Sequence, residues 1–243
     1  MERAGIDLQR EQQASLARPR YPYSPATRLF FRSMDFLTGS RTTLAKAKLV
    51  EMLAGVPYRA WEHRQYLSMT RHYRDEGLVA EAREVLAWAR AARDNEHWHL
   101  LLIEEKMKED AQADSWYLSR PIPQLMVASY TVMSWALARV DIRRAFLFNA
   151  EFEDHAEHTY ADLVRAHPEW EKQAARGDLV STYGGGETWA DVFRRIGLDE
   201  RDHMNSSFWY SGRREWVVRY EGMPAGPSAG DPAHGAPPPE ETG

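Results

Sequence analysis

Apolar residues recur along this chain with the three- and four-residue spacing of amphipathic helices, and no stretch alternates as a surface strand would. Four segments show the spacing best, and each inward stripe includes Glu, His or Asn. The stripes are Leu44, Ala47, Glu51, Ala54, Tyr58 and Trp61; Ala82, Val85, Ala89, Ala92, Glu96, His99 and Ile103; Asn149, Glu153, Ala156, Tyr160 and Leu163; and Trp189, Val192, Ile196, Glu200 and His203. The pattern predicts an all-α fold centred on a four-helix bundle.

Glycine, proline and short polar residues predict where these helices end. Breaks are expected near Gly39–Ser40, near Gly77, across 114–123 and at the glycine run 184–186. Thr188 and Asp191 have the spacing of a capping pair that opens the last bundle helix.

The two ends of the chain differ in composition from its middle. We expect residues 1–24 to form a flexible N-terminal arm and residues 25–222 to form the helical domain. Residues 223–243 are rich in Pro and Gly among Ala and acids, which predicts a disordered tail.

Composition restricts the chemistry. The 243 residues include no cysteine, so disulfides, thiolate metal sites and a Cys nucleophile are excluded. Any metal must be held by oxygen and imidazole, which suits iron, manganese or zinc. The net charge of −5 argues against a nucleic-acid partner. Residues 18–48 nevertheless carry seven Arg or Lys against one Asp, and this basic end is either a membrane-facing surface or a solvated one.

One uncharged stretch, 121–138, raises the question of a membrane. It is short and contains Ser and Thr, so it suits a helix in the membrane interface better than a spanning one. A buried bundle helix would show the same periodicity, and the pattern does not separate the two. The N-terminus carries Glu2, Asp7 and Glu11 without an apolar segment, which predicts a bacterial or thylakoid-type membrane rather than an organelle precursor.

Four groups of possible metal ligands follow one another along the stripes. They are a lone Glu51, the pair Glu96 and His99, a lone Glu153, and the pair Glu200 and His203. A single Glu-x-x-His arises by chance, but this alternation is what a four-helix bundle needs to hold two iron ions. Buried ionised carboxylates are costly, and metal coordination offsets that cost. The alternative is a metal-free bundle with surface acids and hydrogen-bonded core histidines.

The motifs around these residues resemble the alternative oxidase family. The segments are 50–57 (VEMLAGVP), 95–101 (NEHWHLL), 153–160 (EDHAEHTY) and 191–203, and the match extends over roughly 27–210. The Glu-x-His-Ala form of the third motif and the Asp-Val-Phe run of the fourth are most similar to the plastid terminal oxidase, or plastoquinol oxidase, branch.

The resemblance implies a membrane-bound, non-haem di-iron quinol oxidase that belongs to an electron-transport chain and reduces dioxygen to water without pumping protons. Two iron ions per subunit would be held by Glu51, Glu96, His99, Glu153, Glu200 and His203. Tyr160 matches the redox tyrosine, and Asn95 and Asp199 match residues that orient the ligands. Quinol contacts map onto Lys46, Val50, Ala156 and Thr159, although many family members have Arg where Lys46 stands.

The resemblance also implies a ferritin-like bundle with two additional helices at the membrane interface, which map onto 27–37 and 121–138. Attachment would be monotopic, and the protein would be a homodimer. Ubiquinol and plastoquinol remain equally compatible with the sequence. Two other functions stay open: a di-iron hydroxylase or desaturase acting on a lipophilic substrate, and a ferritin-like iron-binding bundle.

Overall fold

The structure, a computed structural model, describes residues 5–184, 186–224 and 226–227. Within these ranges the chain is all α-helical, as predicted, and a lone β-bridge between Ala174 and Thr188 does not extend into a strand. The helices are α1 (Leu8–Ala17), α2 (Pro25–Thr38), α3 (Leu44–Arg71), α4 (Glu76–Glu109), α5 (Ile122–Val140), α6 (Ile142–Ala166), α7 (Asp178–Tyr183) and α8 (Trp189–Ser211), with 3-10 turns at Trp116–Leu118, Pro168–Glu171 and Arg214–Trp216. Most of the tail predicted to be disordered, 228–243, lies outside the described residues.

The helix ends follow local chemistry. The Thr188 side chain accepts from the backbone N–H of Asp191, so the predicted capping pair is confirmed. Gly186 adopts a positive φ beside this cap, and a Cβ there would lie 2.5 Å from the Cβ of Asp191, so only glycine fits. The break expected near Gly77 falls slightly earlier, because Asp75 caps the N-terminus of α4.

Two antiparallel helix pairs form the centre of the fold. Helix α3 packs along α4, and α6 packs along α8, while α5 covers α3 and α2 lies against α6. Every residue of the four stripes predicted from the sequence is buried, including the Glu and His positions. Because the stripes face one another, the polar residues they contain meet in the middle of the bundle.

The N-terminal region differs from the flexible arm expected over 1–24. Residues 8–17 form helix α1, which packs on α6 and α8. Arg201 of α8, 2% exposed, donates to Glu11 at 2.6 Å and to Glu157 of α6 at 2.8 Å. Arg18 donates to Glu157 at 2.7 Å. Buried charges therefore hold this segment, and an apolar pattern cannot reveal such pairing.

Two helices leave large apolar side chains on the surface. Leu29 and Phe36 of α2 are 67% and 94% exposed, and Val132, Trp135 and Val140 of α5 are 71%, 45% and 85% exposed. Across the part of the chain that the structure describes, no helix is both long enough and apolar enough to cross a bilayer.

We predict that Glu157→Gln lowers the free energy of unfolding by about 1.5–3 kcal/mol, because it removes the carboxylate that Arg201 and Arg18 share. Each arginine keeps a second carboxylate partner, Glu11 or Asp154, so neither charge is left unpaired. Burial by itself would raise the pKa of Glu157, but Arg201 and Arg18 lower it overall. A lowered folded-state pKa stabilises above the unfolded value of about 4.3, and this contribution is lost as the pH falls through the folded value.

Urea unfolding at pH 7 and below pH 4 measures both effects. Asp162→Asn is the matched control, because Asp162 pairs with Arg165 at the surface and should change stability by less than about 1 kcal/mol. Equal losses in the two variants would show that the Glu157 network does not hold α1.

Candidate metal centre

The six predicted ligands lie on four helices, and their side chains meet in the middle of the bundle. Glu51 lies on α3, and Glu153 lies on α6. The two Glu-x-x-His pairs lie on α4 and α8, where a three-residue separation places both side chains on one helix face, one turn apart. The least buried of the six residues is Glu51, at 4% exposed.

Ligand atoms form two overlapping groups, each with its atoms within 4.8 Å of one another. The first group is Glu51, Glu96, His99 and Glu200, and the second is Glu96, Glu153, Glu200 and His203. Glu96 and Glu200 belong to both, whereas each remaining Glu and each His belongs to one. This arrangement offers two adjacent metal positions that share two carboxylates.

Distances around the histidines show the same relation. The Nδ1 atom of His99 lies 2.9 Å from Glu200 Oε1 and 3.5 Å from Glu96 Oε2. The Nδ1 atom of His203 lies 2.9 Å from Glu96 Oε1 and 3.5 Å from Glu200 Oε2. Each imidazole thus sits closest to the carboxylate of the other Glu-x-x-His pair, so the site is nearly two-fold symmetric.

The donor set fits a cationic group. Among the described residues, both carboxylate oxygens of Glu96 and Glu200, and one oxygen each of Glu51 and Glu153, lack a hydrogen-bond partner although they are buried. Buried polar atoms are normally satisfied, and carboxylate oxygens with imidazole nitrogens are ligands that iron accepts. The cluster could therefore hold metal, and its composition is consistent with a di-iron site.

Electrostatics favour the same conclusion. Burial raises the pKa of Glu51 and Glu153 well above the usual range, and repulsion from Glu200 and Glu96 raises it further. Burial opposes ionisation of Glu96 too, but His203 and His99 lower its pKa overall. Four carboxyl groups in one dry space repel one another, and metal cations would relieve that repulsion.

Each lone glutamate is held by a tyrosine. The Tyr160 hydroxyl donates to Oε1 of Glu51, and the Tyr58 hydroxyl donates to Oε1 of Glu153 at 2.9 Å. Asn149 also donates to Glu153 Oε1 at 2.9 Å. In both glutamates the second oxygen is the one without a hydrogen-bond partner. The tyrosines thus fix which oxygen is available to a metal.

A further polar group lies behind His99. The Oδ2 atom of Asp199 is 3.6 Å from His99 Nε2 and accepts from Asn95 at 3.2 Å and from Tyr183 at 2.7 Å. This carboxylate favours the His99 tautomer with hydrogen on Nε2, which leaves Nδ1 free toward the cluster.

The four residues predicted to contact quinol each make different contacts in the structure. The Lys46 ammonium donates to Asp35 and to the Gly39 carbonyl, and thereby joins α3 to the end of α2. Val50 packs with the aromatic cluster next to Phe31, on the side of α3 that faces α2 and α6. Ala156 is buried, and the Thr159 hydroxyl donates to the His155 carbonyl.

A cavity of about 760 Å³ reaches the cluster from a different direction. It lies between α3, α4 and α5, and both Glu51 and Glu96 line it. Met52, Val56, Leu100 and Val127 supply apolar walls. None of the four predicted quinol residues lines this cavity, so the structure offers an approach to the site that the sequence did not indicate.

The sequence predicted the candidate ligands, but it did not identify most of the residues that hydrogen-bond to them or to the groups behind them. Tyr58 and Asn149 were on the predicted stripes, and their buried polar groups were a usable signal that they contact something polar. Tyr183 lies on the short helix α7, outside the stripes, and nothing in its local pattern indicates a contact with Asp199.

Fold and site together define the class: an all-α bundle with a buried Glu/His cluster consistent with a di-iron centre. No family model matches the chain. A relative from Arabidopsis thaliana, ubiquinol oxidase 4, chloroplastic/chromoplastic, is 30% identical over an alignment 195 residues long, which covers 71% of this chain and 52% of the relative. The chain thus spans about half the length of that protein. It is a distant homologue of a plastid ubiquinol oxidase of the alternative oxidase family, as its motifs predicted.

We predict that Fe²⁺, added without oxygen to chelator-treated protein, raises the melting temperature by about 5–10 °C at a hundredfold excess over its dissociation constant. The reason is that folded protein gathers the carboxylates and unfolded protein does not. Glu96→Ala/Glu200→Ala should abolish the shift, and Glu81→Ala, which removes an exposed carboxylate from the same helix α4, should retain it. Calorimetry with metal analysis measures both. A shift that persists in the double variant would place the iron elsewhere.

Proposed function

We propose that this protein is a non-haem di-iron quinol oxidase with a ferritin-like four-helix core, which oxidises a quinol and reduces dioxygen to water. The observation that carries the proposal is the pair of overlapping four-residue groups that share Glu96 and Glu200, next to a tyrosine that hydrogen-bonds one of the lone glutamates. The homology to a plastid ubiquinol oxidase supports the same activity.

Six residues would hold the metal. Glu96 and Glu200 lie between the two positions and would bridge them, while Glu51 and Glu153 would be terminal. His99 and His203 would each give one Nδ1 atom to one position. Two iron ions bound there would supply a centre that accepts electrons from quinol and passes them to dioxygen. Two quinols release four electrons and four protons, which convert one dioxygen into two waters.

Tyr160 would handle a proton and an electron at the edge of the cluster. Burial and the adjacent Glu51 raise its pKa well above the usual range, so its hydroxyl keeps its proton at neutral pH. The hydroxyl donates that proton to Glu51 in a hydrogen bond, and the ring lies 6.5 Å from the His99 ring, centroid to centroid. Loss of an electron from the ring would make the proton acidic, and Glu51 is in place to take it.

The bundle supplies the dry surroundings that this chemistry requires. Apolar and aromatic residues close the cluster on the sides of α6 and α8, where Phe193 stacks on Tyr160 at 6.1 Å. Access remains through the cavity beside Glu51 and Glu96, whose outer part is formed by Pro123, Gln124, Val127 and Ala128 of α5. Quinol would enter there or beside Val50 and Thr159, the positions that the resemblance indicates.

A lipophilic substrate requires contact with the bilayer, and α2 and α5 are suited to provide it. Their exposed Leu29, Phe36, Val132 and Trp135 would enter the membrane interface while the arginines of 18–48 reach the headgroups. Attachment would be to one face of a bacterial cytoplasmic or thylakoid-type membrane. The homodimer stays a prediction from the resemblance, which is compatible with either ubiquinol or plastoquinol as the substrate.

We predict that iron-loaded protein consumes oxygen with added ubiquinol or plastoquinol, that cyanide does not stop it, and that quinone and water are the products. Tyr160→Phe should keep its iron and lose turnover by roughly 10²-fold or more, because a phenyl ring cannot give up a proton. Tyr117→Phe, a buried tyrosine on another helix, serves as the control.

Oxygen-electrode rates, quinone absorbance and iron analysis on the same samples test this prediction. Unchanged turnover in Tyr160→Phe would remove the tyrosine from the mechanism. A hydroxylated or desaturated product would assign the site to the hydroxylase or desaturase alternative, and mineralised iron without quinol oxidation would assign it to storage.

We further predict that the protein floats with phosphatidylcholine vesicles and that Phe36→Asp/Val132→Asp reduces the bound fraction by at least about tenfold, because charge on an inserted face is strongly unfavourable. Gradient flotation measures the bound fraction. Tyr66→Asp/Tyr73→Asp introduces the same charge at exposed aromatic residues outside α2 and α5. Equal loss in both double variants would contradict insertion through α2 and α5.

A further inference from the structure

A second pocket, remote from the metal ligands in sequence, lies between the C-terminal halves of α3 and α5. Its volume is about 240 Å³. Three arginines, two histidines and a tryptophan dominate its lining: Arg64, Arg71, Arg139, His63, His72 and Trp135. Among the described residues that line it, none is Asp or Glu, so the arginines are not offset by an acidic side chain in the lining itself.

The arginines of this pocket are available for a ligand. Within the ranges that the structure describes, neither Arg64 nor Arg71 nor Arg139 forms an ion pair, whereas many other arginines of the protein do. Arg64 donates through Nη1 to the Ala138 carbonyl at 2.6 Å, which fixes its guanidinium against α5 and leaves its other N–H groups unused by that bond. Burial and the neighbouring Arg139 lower the pKa of Arg64, and the nearby Asp141, which does not line the pocket, opposes them more weakly.

The chemistry of a matching ligand follows from these donors. Several guanidinium groups around one concave site match a tetrahedral oxyanion, since each planar fork can give two parallel hydrogen bonds to phosphate oxygens. The pocket wall also includes Trp135, which is 45% exposed and lies 5.2 Å from the His63 ring, centroid to centroid. Val132 and Val140 are exposed on the same helix. A phosphate group here would therefore have apolar surface beside it.

We propose that this pocket binds the phosphate group of an anionic phospholipid, with the acyl chains alongside the exposed face of α5. The site would fix the C-terminal end of α5, and with it the outer wall of the cavity that leads to Glu51 and Glu96, at the height of the headgroups. The inference that a lipid supplies the phosphate rests on the membrane contact proposed above. The inference that the pocket binds an oxyanion does not depend on that contact.

Flotation with vesicles of phosphatidylcholine alone, or of phosphatidylcholine with phosphatidylglycerol, tests the proposal. Wild-type protein should bind the anionic vesicles more tightly. Arg71→Gln/Arg139→Gln should lose roughly thirty-fold of that preference while it keeps its binding to neutral vesicles. Both arginines are exposed and make no hydrogen bond among the described residues, so the variant retains its packing. Arg83→Gln/Arg176→Gln removes two exposed charges that lie outside α2 and α5 and should lose only a few-fold.

Calorimetric titration with inorganic phosphate separates the two possible sources. Millimolar or weaker phosphate binding that disappears in Arg71→Gln/Arg139→Gln, together with the vesicle result, supports a lipid phosphate in this pocket. Phosphate binding lost in that variant while its preference for anionic vesicles is unchanged would overturn the lipid. Equal losses in the two double variants would overturn the pocket in favour of general surface charge. Wild-type protein that binds no vesicles but still binds phosphate through Arg71 and Arg139 would refute the membrane contact and leave an oxyanion site.

Discussion

The burial of four carboxylates and two imidazoles in one dry space is the constraint on which the rest of this structure depends. Isolated, each ionised carboxylate would be strongly unfavourable there, and four of them repel one another. The bundle arranges these groups with near two-fold symmetry. Glu96 and Glu200 lie in the middle, each close to the histidine of the other helix, and Glu51 and Glu153 lie at the two ends. Metal cations bound between them would balance these charges, so the composition of the core is consistent with a metal centre.

The groups around the cluster decide how each ligand is presented. A tyrosine takes one oxygen of each lone glutamate and leaves the other toward the centre. Behind His99, the Asp199 carboxylate is itself held by Asn95 and Tyr183. The orientation of His99 therefore depends on α7 as well as on the four bundle helices.

Charge also organises the outside of the bundle. Along α8, buried arginines draw the N-terminal helix α1 onto the core through Glu11 and Glu157. At the opposite extreme, the arginines between α3 and α5 have no such partners among the described residues. The paired charges hold helices together, whereas the arginines around the pocket are the ones for which we propose a ligand. The apolar spacing of the neighbouring helices indicates neither the paired arginines nor the pocket arginines.

The sequence by itself determined the helical class, the four inward stripes and the identity of the clustered Glu and His residues. It could do so because helical periodicity places residues three and four apart on one face, whatever lies opposite. Only the tertiary structure decided that Tyr58 meets Glu153, that Tyr183 meets Asp199, that residues 8–17 fold onto α8, and that three arginines share one pocket. These contacts join residues of separate helices, and their formation depends on how whole helices pack, which no local pattern contains.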